Sequence, residues 1–116
     1  MALVIETSDE ATAALLVLRG ELDIATSPKR RDELVRVITD GRRIVVDLEG
    51  LGFIDSVGLG ILVSGLKRAR QHGGELELVC ANRTILQPLE LTGLDQTFTM
   101  HALREDALAQ SSSGGA

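Results

Sequence analysis

A single α/β domain, built on a mixed sheet of about five strands with about four helices packed against it, is the architecture this sequence predicts. Three observations carry it. The run Ile44-Val45-Val46-Asp47-Leu48 is apolar apart from its aspartate, as a parallel strand covered on both faces requires. After an opening hairpin, strand patterns alternate with helical ones, which favours parallel inner strands joined by crossover helices. A chain of 116 residues makes one domain, large enough to bury about two thirds of its unfolded surface.

Each element has its own local reason. Leu3 to Glu6 and Ala13 to Arg19 read as a hairpin across the polar turn Thr7-Ser8-Asp9-Glu10. Thr26 or Ser27 can cap a first helix with Pro28 at its first position; Leu34, Val37 and Ile38 form its apolar stripe, and Gly41 ends it. The central strand then closes on Glu49-Gly50-Leu51-Gly52, read as a turn. From Ser56, apolar residues at Val57, Ile61, Leu62, Leu66 and Ala69 follow a helical period until Gly73-Gly74. Glu75 to Cys80 alternates as a strand with Leu76, Leu78 and Cys80 facing inward. Thr84-x-x-Gln87 has the form of a capping box for a helix reaching Gly93, with Pro88 awkward inside it. Thr97 to Met100 is a last strand and Leu103 to Ala109 a short last helix.

Composition excludes several functions. The net charge of −5 argues against a nucleic-acid partner, and Arg30-Arg31 and Arg42-Arg43 read as solvated surface rather than a basic patch. Aromatic residues make up 2% of the chain, so no platform exists for stacking bases; Phe53 and Phe98 are expected to fill the core. No apolar run reaches the ~18 residues of a bilayer span, and no secretory leader is visible, so a cytoplasmic protein is expected. One cysteine rules out an internal disulfide; Cys80 reads as an inert core thiol. His72 and His101 lie far apart with no cluster of ligands, so neither a metal nor another cofactor is expected.

The segment Phe53-Ile54-Asp55-Ser56-Val57-Gly58-Leu59-Gly60 carries the most chemistry. It puts a serine hydroxyl at a helix N-terminus, where unpaired N–H groups and a partial positive charge favour an attached oxyanion such as phosphate. Taken alone, a plain helix cap is the better account of the serine. The enzyme motifs fail at residues their chemistry needs. A hydrolase elbow requires glycine where Ile54 stands, a dinucleotide loop finds Val63 in place of its last glycine, and a phosphate-binding loop finds Leu66 in place of lysine. No base is placed beside Ser56, so no catalytic residue is assigned. Gly58, Gly60 and Gly65 each cost about 1 kcal/mol inside a helix and need a reason. Packing is assigned to Gly65, and an open approach for a partner to Gly58.

A strand, Asp55-Ser56, then Gly58-Leu59-Gly60-Ile61-Leu62 on a basic-ended helix resembles the STAS domain of bacterial anti-sigma factor antagonists. Gly20-Glu21-Leu22-Asp23 is similar to that family's N-terminal signature, and Thr92-Gly93-Leu94 followed by Phe98 to its C-terminal one. The resemblance implies a STAS domain over residues 1–110 and makes Ser56 the phosphorylation site; the low-complexity Ser/Gly tail at 111–116 is expected to be disordered. Many members carry a second serine where this chain has Val57. It further implies that the unphosphorylated form binds a serine-kinase anti-sigma factor of the GHKL ATPase type and frees its sigma factor. Phosphorylation would end that binding and a PPM-type phosphatase restore it. The expected docking surface is Asp23, Ile24, Ala25, Thr26 and Ser27 together with Asp55, Ser56, Val57, Gly58 and Leu59; for Asp23 a turn-forming role stands beside the contact. Two alternatives remain: a STAS subunit of a larger scaffold or lipid-transport assembly, and a small nucleotide-binding protein.

Overall fold

The computed structural model describes residues 2–26, 28–38 and 42–109. Strands β1 (Val4–Asp9) and β2 (Ala14–Leu22) precede helix α1 (Pro28–Ile38), strand β3 (Arg43–Ile54) and helix α2 (Ser56–Gln71). Strand β4 (Glu75–Val79), helix α3 (Arg83–Leu91), strand β5 (Thr99–His101) and helix α4 (Arg104–Ala109) complete the order. The five strands lie in one sheet in sequence order, with β1 antiparallel to β2 and all other pairs parallel. That is the mixed five-strand, four-helix arrangement expected. The expected cap Ser27, the helix end at Gly41 and the tail at 111–116 lie outside the described residues.

Both faces of the sheet are covered, which explains the unbroken apolar run in β3. Leu16, Leu18, Ile44, Val46, Leu76 and Leu78 point to one face, where α1, α2 and α3 add residues such as Leu34, Leu62 and Ile85. Leu15, Val17, Val45 and Val79 point to the other, against Ala107 of α4. Each such side chain contributes about 1.5–3 kcal/mol by leaving water.

Several local expectations are corrected. The turn at Thr7-Ser8-Asp9-Glu10 is instead strand up to Asp9, which pairs with Ala14. Because β1 is an exposed edge, polar residues sit in it without cost, and the chain reverses over Glu10 to Ala13. Glu49 to Gly52 is no turn either. There β3 continues alongside β2 through two register shifts, with Gly20 at φ 95° in the left-handed region that glycine tolerates. The capping box at Thr84 and Gln87 is absent: Asn82 caps α3, its Oδ1 accepting from the Thr84 N–H at 3.1 Å. Pro88 stands inside α3 because the carbonyl it fails to serve belongs to exposed Thr84, where water can reach.

Arg43 is not solvated surface. It is 8% exposed, and its Nε and one terminal nitrogen donate to the two carboxylate oxygens of Glu77 at 2.9 and 3.0 Å. His101 Nε2 meets Glu77 Oε1 at 2.7 Å, and Arg43 also donates to the Ala107 carbonyl of α4. Burial works against the Glu77 carboxylate, but the hydrogen bonds and charges of Arg43 and His101 outweigh it and hold its pKa below the usual 4.5. This network, with Arg104 Nε on Asp47 Oδ2 at 2.8 Å, fastens α4 over the sheet. Among the described residues no helix is long and apolar enough to cross a membrane.

Candidate functional site

The site forms where the C-terminal end of β3, the first turn of α2 and the β2–α1 loop meet, at the carboxyl edge of the parallel strands. Asp55 organises it. With an extended backbone (φ −113°, ψ −173°), it is the N-cap of α2: Oδ1 accepts from the Gly58 N–H at 2.9 Å. Its other oxygen, Oδ2, accepts from the Ile24 N–H at 3.1 Å and so clips the β2–α1 loop to the helix end. The Gly58 hydrogen bond does most to hold its carboxyl below the usual 3.8; burial opposes it, and the weaker hydrogen bonds from Ile24 and Val57 add to the lowering.

The loop is closed on itself. The Asp23 N–H donates to Thr26 Oγ1 at 3.0 Å, the Thr26 N–H returns to the Asp23 carbonyl at 2.9 Å, and Asp23 Oδ1 accepts from the Ala25 N–H at 3.0 Å. The turn-forming role of Asp23 is therefore realised. Ile24, 74% exposed, stands at the tip.

Ser56 is the first residue of α2, one place inside the cap, and it is exposed. Capping belongs to Asp55, so the serine is not the helix cap that its type alone suggested. Its hydroxyl makes no hydrogen bond among the described residues, and the helix end beneath it suits an anion. Neither histidine stands beside it: His72 caps the far end of the same helix and His101 is buried on Glu77. Among the described residues no three of His, Cys, Asp or Glu group as metal ligands. Cys80 is buried, and burial pushes its thiol up to about 11, so it stays protonated.

Three residues of the expected docking surface face the wrong way. Gly58 is buried against β2, where a Cβ would come within 2.1 Å of the Leu22 carbonyl oxygen and 2.8 Å of Ile54 Cγ1. It is a packing glycine, not an open approach for a partner. Leu59 belongs to the core, and Thr26 is buried with its hydroxyl engaged by Asp23. Gly65 packs on Ile38 and Leu76 as expected. Phe53 does not fill the core: it is 46% exposed, because Leu51 and Ile54 take the inward positions at this end of β3. The only signal that could have flagged it is its place, one of two aromatics in the chain, directly before Ile54-Asp55-Ser56.

Fold and site together define a small α/β binding domain that displays one unencumbered serine beside an ordered loop. A family model of the STAS domain matches residues 2–107. The chain belongs to the STAS domain family, in the group of the anti-sigma factor antagonists. It is 37% identical over 95 residues to the anti-sigma-B factor antagonist of Staphylococcus aureus, covering 81% of this chain and 88% of the relative. An anti-sigma factor antagonist from Mycobacterium paratuberculosis superposes with a TM-score of 0.83 at 28% identity, covering 93% of this chain and 92% of that one. The Bacillus cell fate determinant SpoIIAA in its phosphorylated form superposes with a TM-score of 0.67 at 25% identity, covering 93% and 97%. These homologues are regulatory binding proteins rather than enzymes.

Proposed function

We propose that this protein is a phosphorylation-controlled binding module whose switch is Ser56. The observation that carries the reading is the exposed, unbonded Ser56 hydroxyl on a helix end already capped by Asp55. Modification therefore need not dismantle a cap. A relative of the same fold described in a phosphorylated form supports the reading. The partner is an anti-sigma factor with serine-kinase activity of the GHKL ATPase type. Its ATP supplies the phosphoryl group: Ser56 Oγ bonds to the γ-phosphorus, the bond to the ADP oxygen breaks, and the hydroxyl proton leaves to a base of the kinase. A PPM-type phosphatase hydrolyses the ester and restores the binding form.

The docking surface is the loop tip (Asp23, Ile24, Ala25) with Ser56 and Val57, extended by exposed Phe53; Asp55 holds loop and helix in register without itself needing to touch the partner. Phosphate adds about 1.5–2 negative charges at this surface. The helix N-terminus accommodates them without unfolding the domain, while the partner's packed surface meets an unmatched dianion. The test is intact-mass spectrometry after incubation with a GHKL-type anti-sigma factor kinase and ATP. One added phosphate is expected on the natural chain and none on Ser56→Ala; phosphate on Ser56→Ala overturns the assignment.

A further inference from the structure

Between α1 and α2, above the sheet, lies an open cleft of about 600 Å³, within the range of ordinary small-molecule sites. It exists because α2 presents Gly60 and Ser64, one turn apart, to this side, and a Cβ on Gly60 would meet nothing within 4 Å. Leu16, Leu18 and Val46 of β2 and β3 close its floor from within the core, and the aliphatic surface open to the cleft belongs to Val35 of α1 and Ile61 of α2. The rim is cationic: Arg31 on α1 faces Lys67 and Arg68 on α2.

Among the described residues none of these three cations has a carboxylate partner, although the chain carries a net charge of −5 and the buried arginine Arg43 is fully paired. Moreover, Arg31 Nε is shielded from water with no acceptor among the described residues, an arrangement that costs about 1–3 kcal/mol unless something supplies one. No aromatic side chain lines the cleft, so a nucleobase would find no ring to stack on. Aliphatic walls beside an unpaired cationic rim match an aliphatic chain that ends in an acid.

We propose that the α1–α2 cleft is a binding site for a single-chain aliphatic carboxylic acid, its chain against Val35 and Ile61 and its carboxylate on Arg31, with Lys67 and Arg68 completing the rim. The inference is independent of the Ser56 switch. It is tested by titrating the full chain calorimetrically with dodecanoate below its micelle concentration, alongside dodecyltrimethylammonium, which has the same chain and the opposite charge. Saturable one-to-one binding of dodecanoate is expected, at least tenfold tighter than the cation. Amide shifts should centre on Ile61, Leu62, Ser64 and Gly65. Arg31→Gln with Lys67→Gln should weaken binding at least tenfold. Ser64→Trp, which fills the mouth from an exposed position, should abolish it, and unchanged circular dichroism shows that each variant folds. If Ser64→Trp fails to fold, the Arg31→Gln/Lys67→Gln pair decides alone. Absence of saturable binding, equal affinity for the cation, shifts elsewhere, or full affinity in the Arg31→Gln/Lys67→Gln variant overturns the proposal.

Discussion

Gly58→Ala is the substitution whose outcome the geometry determines most closely. A methyl added there would lie 2.1 Å from the Leu22 carbonyl oxygen and 2.9 Å from its carbon, against 3.4 Å or more in ordinary contacts. The obstacle is strand backbone, which has no rotamer to change, so α2 must retreat by about 1.3 Å and open the packing of Leu62 and Leu66 behind it. Overpacking costs about 1–3 kcal/mol, and a clash with backbone takes the upper end. Replacing a glycine in the first turn of a helix returns at most about 1 kcal/mol of helix propensity. The net loss is about 2 kcal/mol, or roughly 6–12 °C in Tm for a chain of this size. Gly60→Ala is the internal control. It lies two residues on, exposed, with nothing within 4 Å of the added methyl, so it should gain about 0.5–1 kcal/mol. Thermal unfolding followed by circular dichroism measures both. Equal Tm values for the two variants would refute the packing of α2 on the Leu22 carbonyl.

Further expectations follow from the same geometry. Ser56→Ala should unfold within about 0.5 kcal/mol of the natural chain in urea, since Asp55 supplies the cap, whereas Asp55→Ala should lose hydrogen-exchange protection at the Ile24 and Gly58 amides. Glu77→Leu strands the Arg43 guanidinium in the core and should cost about 3–5 kcal/mol, part of which Arg43→Leu added to it recovers. Because folding holds the Glu77 carboxyl below 4.5, its contribution is complete above that pH and lost as the pH falls through its folded value; a urea midpoint indifferent to pH below 4.5 in the natural chain would count against the network. Cys80, with its thiol pushed up to about 11, should react with a thiol reagent at pH 8 far more slowly when folded than in denaturant.

What the sequence shows plainly is what local periodicity carries. The alternation of β3 with α2 and the position of Ser56 at a helix start follow from an apolar run, Asp-Ser and a 3.6-residue repeat. The one-residue displacement of the cap to Asp55 does not, because aspartate and serine are both good caps and only the second hydrogen bond, to Ile24, favours the aspartate. Gly58 was more legible than its assignment to a partner allowed. Gly58, Leu62, Gly65 and Ala69 recur at the spacing of one helix face, and all four are buried. By contrast, Arg43, Glu77 and His101 come from three strands, and nothing in the alternation of Glu75 to Cys80 shows that α4 covers the second face and buries Glu77. Polar residues on an inner strand look solvated until their partners are known. Phe53 failed the other way, since a large apolar residue in a strand reads as core unless its neighbours already occupy the inward positions.

The central claim is that a single phosphate on Ser56 controls docking at the loop tip and first turn of α2. Calorimetry against the kinase anti-sigma factor, with nucleotide held fixed, tests it directly on the unmodified chain, Ser56→Ala, Ser56→Asp and the phosphoprotein. An unmatched dianion at a packed contact costs several kcal/mol; a penalty of about 3 kcal/mol is roughly a hundredfold in Kd. The unmodified chain and Ser56→Ala should bind tightest, Ser56→Asp more weakly and the phosphoprotein about a hundredfold more weakly than the first two. A phosphoprotein that binds as tightly as the unmodified chain would contradict the switch and leave Ser56 an ordinary first residue of a helix.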